Sequence, residues 1–187
     1  VRVRRAIQLI IDRNKVMRNG YLGLARIGND YMAGGDACGP PAVPQLKQDL
    51  PKAKQLLAQA GYPDLKVTLT TDGAFAGMKQ TAEILAQDAA KIGVEIKVQI
   101  LPVGAFLNKW GEWPMYLNAN DPPFIVGAFN HYATGAVNNA QNYSSPKMDG
   151  LLKQLERTGG EAKQCAVIRR IHKLVHEEGI SGVPAVP

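Results

Sequence analysis

Lys66-Val-Thr-Leu-Thr-Thr71, the helical repeat from about Phe75 to Ile92, and Glu95-Ile-Lys-Val-Gln-Ile-Leu101 follow one another, and their reading decides the fold class. The two outer segments alternate with period two, the mark of a strand. Ile96, Val98 and Ile100 then share one face. The middle segment places Met78, Ala82, Leu85, Ala89 and Ile92 on one helical face and meets a stop signal at Gly93. A strand, helix and strand of this length form a βαβ crossover, for which parallel, right-handed pairing is the default. A helix from about Val103 to Gly111 and a short strand near Trp113 to Leu117 repeat the scheme. The expected class is therefore α/β, a mixed sheet flanked by helices.

Upstream, Ala6, Ile7, Leu9, Ile10 and Ile11 form a strongly apolar opening helix, and Asp12 can cap a second short helix over Arg13 to Asn19, stopped by Gly20. Residues 21–48 carry five glycines and three prolines and read as a long irregular excursion. Asp49 and Pro51 then start a helix with an apolar face of Ala53, Leu56, Leu57 and Ala60, ended by Gly61. Downstream, two helices are expected over about 146–157 and 161–178, before an extended segment from Ile180 to Val186.

The chain has 187 residues, 45% hydrophobic and 20% charged, which suffices for an apolar core without staples. No apolar run is long enough for a membrane-spanning helix. The net charge of +6 is one local patch, with Arg2, Arg4, Arg5, Arg13, Lys15, Arg18 and Arg26 facing only Asp12. Without interleaved aromatics or a nucleic-acid module, this reads as a solvated helix face, and no nucleic-acid partner is expected. Cys38 and Cys165 have no metal-type spacing; Cys165, set among Ala162, Ala166 and Ile168, is expected to be a buried free thiol, with a disulfide as the alternative.

His172 and His176 share a helix face, yet no third ligand accompanies them, and exposed helix histidines are the expectation. No nucleophile elbow, paired carboxylates or phosphate-binding glycine loop occurs, so neither a cofactor nor a catalytic residue is assigned, and binding is favoured over catalysis. The stretch from Asn118 to Pro146 is different in kind, combining Asn118, Asn120, Asn138 and Asn139 with Phe124, Phe129, Tyr132 and Tyr143. Amides bond polar ligands in either direction and aromatics supply walls, so the composition suits a binding cleft; Asn is equally a turn-former. Tyr116, Phe124 and Tyr132 line a cleft or fill the core, and Asp121 before Pro122 is either a ligand carboxylate or a cap.

Several phrases form a set: Val3-Arg-Arg-Ala-Ile-Gln-Leu-Ile-Ile-Asp-Arg13, Ala53-Lys-Gln-Leu-Leu-Ala-Gln-Ala-Gly-Tyr-Pro63, Ala82-Glu-Ile-Leu-Ala-Gln87, Lys91-Ile-Gly-Val-Glu-Ile96, and Asn142-Tyr-Ser-Ser-Pro-Lys-Met-Asp149 with Leu151-Leu152. In this order they resemble the C-terminal lobe of the dipeptide/oligopeptide-type (family 5) extracellular solute-binding proteins of ABC transporters, over essentially the whole chain. The resemblance implies a periplasmic-binding-protein-like (type II) lobe spanning 1–187, with the N-terminal lobe absent. It implies capture of a small polar solute (a peptide, opine or sugar-like molecule) and its delivery to a membrane permease, in the periplasm or at the cell surface as a lipoprotein. A ligand-sensing regulatory domain of the same fold is the alternative. Exposed apolar surface facing the absent lobe also leads us to expect a homodimer of the fragment.

In the peptide-binding members, a strand leads to an aromatic and then to an Asp that pairs with the ligand's amino group. Here Asn118-Ala-Asn-Asp-Pro-Pro-Phe124 follows the strand. Counted forward, Asn120 takes the aromatic's place and Asp121 is the nearest carboxylate; counted back from the proline, Asn118 takes the place of the Asp. Ligand-binding residues are therefore expected among Tyr116, Asn118, Asn120, Asp121, Phe124, Tyr132, Asn138 and Asn139.

Overall fold

The computed structural model describes residues 1–30, 38, 43–119 and 124–186, and of residues 124 and 125 the backbone only. In order, the elements are α1 (Arg2–Ile10), α2 (Arg13–Lys15) running into a π-helical turn (Val16–Gly20), β1 (Arg26–Ile27), α3 (Leu50–Gln59), β2 (Lys66–Thr71), α4 (Met78–Ala90), β3 (Glu95–Ile100), α5 (Val103–Leu107), β4 (Met115–Leu117), α6 (Phe124–Tyr132), α7 (Pro146–Arg157), α8 (Glu161–Glu178) and β5 (Ala185–Val186). Their starts follow local chemistry. Asp12, Asp49 and Ser145 accept from the backbone N–H groups of Lys15, Lys52 and Met148, so three helices have side-chain N-caps. Gly61 and Gly93 end α3 and α4 in left-handed conformations.

The expected strand–helix–strand unit is present. β2 lies at the centre of a three-stranded sheet, with β3 on one side and β4 on the other, both parallel to it. Thr71 is in register with both Ile100 and Leu117. The antiparallel pairing is separate from this sheet, between β1 and β5. α4 begins at Met78, three residues later than its periodicity suggests, because Gly77 before it has φ +83°. A side chain at Gly77 would lie 2.8 Å from the Tyr21 ring, so glycine is required there for space as well as for conformation.

Two apolar cores form. The first joins α1, α3 and α4 to the sheet face carrying Val67, Leu69, Ile96, Val98, Met115 and Leu117. The second is helical, built from Ala128 and Tyr132 of α6, Met148, Leu151, Leu152 and Leu155 of α7, and Ile168, Ile171, Leu174 and Val175 of α8. Ile100 departs from expectation. It is exposed, because β3 is an edge strand whose last residue reaches the open carboxyl rim of the sheet.

Three sequence expectations need correction here. The basic patch is only in part a solvated face: Arg2, Arg18 and Arg26 are exposed, but the other four bases are tied to the fold. Arg4 and Arg5 donate to the Gly179 and His176 carbonyls at 3.0 and 2.9 Å, placing cations at the negative end of α8. Arg13 is buried on Asp30, and Lys15 reaches the buried Asp88 at 3.2 Å. Second, Cys165 is not a free thiol but is bonded to Cys38. Its helical neighbours reveal which face of α8 is buried, not what lies opposite that face.

Third, His172 and His176 are buried, His172 with only 1% exposure, on the side of α8 that also carries buried Cys165. Burial lowers the basicity of both imidazoles, that of His172 to about 4. The unfolded chain therefore takes the proton first. The stability tied to neutral His172 is complete above pH 6.5 and is lost as the pH falls toward 4, by about 3 kcal/mol in full. Urea unfolding at pH 7.5 and pH 4.5 should show that loss, and His172→Leu should remove most of it; an unchanged pH dependence in the variant would assign the effect elsewhere.

Candidate functional site

β2 and β4 are neighbours that send the chain to opposite sides of the sheet. After β2 the loop 72–77 leads to α4, which packs on the first core. After β4 the chain leads to α6 and the second core. The side is fixed by alternation: Met115 and Leu117 face the first core, so Tyr116 faces away from it. The Tyr116 hydroxyl donates to Gln141 at 3.1 Å, and Gln141 donates to the His131 carbonyl of α6 at 3.0 Å. In open α/β sheets, ligands bind outside the carboxyl ends of the strands, where neighbouring connections part.

Asp72, Leu101 and Asn118 are the first residues beyond the register of Thr71, Ile100 and Leu117. With strands spaced about 4.8 Å apart, they form a row along the rim. Asp72 is half-buried at the centre of that row, and its Oδ1 accepts from the Ala74 N–H at 3.1 Å. Gly73, with φ +59°, then turns the chain away. Phe75, Ile100, Val103 and Leu107 are exposed on the loop, strand end and helix of this same rim. The wall beside it is aromatic: Trp113 stacks on Phe106 with ring centres 6.3 Å apart, and Trp110 tilts on Tyr116 at 5.3 Å. Burial raises the Tyr116 phenol above its ordinary value, so it stays protonated as a donor.

The residues singled out in sequence separate accordingly. Tyr116 and Asn118, both half-buried, lie at the carboxyl end of β4. Asn138 is half-buried in the turn after α6. Asn139 and Tyr132 are corrections. Asn139 is buried and donates to the Ala133 and Tyr143 carbonyls at 3.1 and 2.6 Å while accepting from the Tyr143 N–H, which commits its amide to clipping a turn. Tyr132 is 1% exposed within the second core, and no solute reaches it. Asn120 and Asp121 lie outside the described residues, as does the side chain of Phe124, whose backbone starts α6.

Sequence reading missed α6. Asparagines and aromatics made residues 124–132 look like loop, although Ile125, Val126, Ala128 and Phe129 carry a helical repeat. Thr71-Asp72-Gly73 reads as an ordinary turn. Only the strand order reveals that the turn leaves the central strand. Among the described residues no group of three or more histidines, cysteines or carboxylates is gathered to hold a metal ion, and no helix is long and apolar enough to cross a membrane.

The model of the family described as bacterial extracellular solute-binding proteins, family 5 Middle, matches residues 1–141. The nickel-binding protein NikA of Staphylococcus aureus is 30% identical over 166 residues, covering 83% of this chain and 33% of that protein. A probable di/tripeptide-binding protein 5 of Pseudomonas aeruginosa is 21% identical over 96% of this chain and 36% of its own length. Thus the chain spans about a third of the length of these curated relatives. The crystal structure of the same NikA with Ni(L-His)2 superposes with a TM-score of 0.88 at 23% identity, over 98% of this chain and 41% of that one. DppA of Helicobacter pylori, in complex with the peptide STSA, superposes with a TM-score of 0.80 at 25% identity, over 98% and 37%. With its α/β architecture and the family match over most of its length, the chain belongs to the family 5 bacterial extracellular solute-binding proteins.

Proposed function

We propose that the complete protein captures a small polar solute outside the cytoplasmic membrane and presents it to an ABC permease, this lobe supplying one wall of the cleft. What supports this reading is the family match together with the parallel register of β2 and β4, which brings Tyr116 and Asn118 to one carboxyl rim of the sheet. The names of the relatives, nickel-binding and di/tripeptide-binding, set the range of solutes to be tried. A second lobe closes over the solute, and binding completes the task with no bond made or broken. The Cys38–Cys165 disulfide fits a periplasmic or extracellular setting, where such bonds persist.

Affinity depends on enclosing most of the ligand surface, and one lobe encloses at most half. Calorimetric titration of the complete gene product with trialanine and with the nickel–histidine complex should give binding for one of them. This chain alone should bind the same solute at least about 100-fold more weakly, the equivalent of losing roughly 2.7 kcal/mol of contact. Equal affinity from the single lobe would overturn two-lobed capture.

A further inference from the structure

We propose that Leu22 and Leu24 form an apolar tip on which the second lobe of the same polypeptide rests, and that solute tightens this contact. The inference rests on the two-lobed capture reading and names a contact that sets its balance between open and closed. Leu22 has φ +53°, a left-handed backbone that glycine adopts freely and a bulky residue does not. It is 80% exposed and Leu24 is 85% exposed, so burial within this lobe does not offset the strain. Strained residues of this kind persist where they serve a contact, and this lobe covers little of the Leu22 side chain.

The tip is held in a defined place. The Gly23 N–H donates to the Met17 carbonyl at 3.0 Å and the Leu24 N–H to the Tyr21 carbonyl at 2.8 Å, closing the turn that follows the π-helical segment. On either side Tyr21 and Ala25 pack on the first core, which leaves the two leucines between them turned outward. The Tyr21 ring lies against Gly77, the residue before α4 and the end of the loop that leaves the carboxyl end of β2. Leu22 and Leu24 therefore stand at the carboxyl rim of the sheet, as do exposed Phe75, two residues from Gly77, and Ile100 and Val103. Single exposed leucines are ordinary, whereas apolar side chains gathered along one rim mark a surface that another body covers. In the capture reading the solute lies between this rim and the second lobe, so that lobe faces the tip. The curated relatives are about three times the length of this chain, enough for such a lobe in the same polypeptide.

The test labels a single introduced cysteine with a maleimide in the complete gene product, at Leu24→Cys and, for reference, at Tyr62→Cys. Cys38 and Cys165 are bonded, so the introduced thiol is the free one among the described residues. Tyr62 lies between α3 and β2, at the opposite, amino end of the sheet. In this lobe Leu24 is the more exposed of the two, 85% against 54%, and an uncovered rim would label faster at 24. The expected order is the reverse, with labelling at 24 slowed further by trialanine or the nickel–histidine complex, whichever binds, and labelling at 62 unchanged. Leu22→Gly removes the strained side chain, so it should keep or raise the melting temperature while weakening the bound probe about 10-fold or more, the effect of one leucine no longer buried. A residue that only supported the turn would move stability and affinity down together. Labelling at 24 as fast as at 62, or unchanged affinity in Leu22→Gly, would overturn the contact. Slowing that appears only with vesicles containing phosphatidylglycerol would give the tip, flanked by exposed Arg18 and Arg26, to a membrane; slowing that grows with protein concentration would give it to a second copy. Either result overturns the proposal. Failure of both probes to bind would count against solute capture, and the labelling order reads the lobe contact independently of it.

Discussion

Asp30→Ala is expected to destabilise the lobe by about 3 to 5 kcal/mol, the cost of leaving a buried charge without its partner. Arg13 and Asp30 are 3% and 0% exposed, and Arg13 Nη2 donates to both carboxylate oxygens, at 2.6 and 2.5 Å. Around the pair, Arg13 Nη1 donates to the carbonyls of Gln8, Ile11 and Leu46, while Asp30 Oδ1 accepts from the Val183 N–H at 3.0 Å. Removing the carboxylate takes the charge partner from the guanidinium and the acceptor from the Val183 N–H, leaving the backbone contact from the residue 30 N–H to the Val183 carbonyl at 3.5 Å. Asp30 also has φ +65°, a conformation that Asp and Asn tolerate better than Ala. Asp30→Asn therefore separates the two effects: it keeps the backbone preference and loses only the charge. Chemical denaturation should rank the variants wild type, Asn, then Ala; a cost under about 1 kcal/mol for Asp30→Ala would show that water reaches the pair.

Reduction of Cys38–Cys165 is expected to cost up to about 5 kcal/mol, because the bond closes a loop across 127 positions and long loops lose the most freedom when cross-linked in the unfolded chain. For a domain of this size that corresponds to a fall in melting temperature on the order of 10 °C. The structural consequence is local as well. Cys38 packs against the second core although the residues flanking the excursion belong to the first, and the Arg169 guanidinium donates to the Cys38 carbonyl at 2.8 Å. That hydrogen bond and the packing of residue 38 on the second core do not depend on the disulfide and remain after reduction. Scanning calorimetry with and without a phosphine reductant measures the effect, and the paired variant Cys38→Ala, Cys165→Ala should match the reduced protein. A change of less than about 2 °C would mean that the unfolded chain is already confined by other means.

Most of the fold was legible wherever a local rule acted alone. Period-two alternation in 66–71 and 95–100, the caps at Asp12 and Asp49 and the glycine stops at 61 and 93 are short-range facts, and the structure keeps them. What remained hidden depends on partners distant in sequence. Arg13 looks like any helix arginine until Asp30 is placed on it, and His172 looks exposed until α7 and α8 pair. The candidate site follows the same division. Tyr116 and Asn118 were visible because they sit at the end of a recognisable strand. The amides of Asn138 and Asn139 were read as ligand contacts, although the second of them holds its own turn, a commitment set by Ala133 and Tyr143.

The hydrogen bonds that join α1 to the far end of the chain carry a consequence for how the lobe is made. Gln8 Nε2 donates to the Ser181 carbonyl across 173 positions, Arg4 and Arg5 close the end of α8, and β1 pairs with β5. Contacts of such sequence separation slow folding, because the loop must close before they repay it. On the ribosome, the first helix waits for residues near 180 to emerge, with buried Gln8 and the apolar side chains beside it uncovered meanwhile. Assembly of the lobe in one late step is the natural outcome of that wiring.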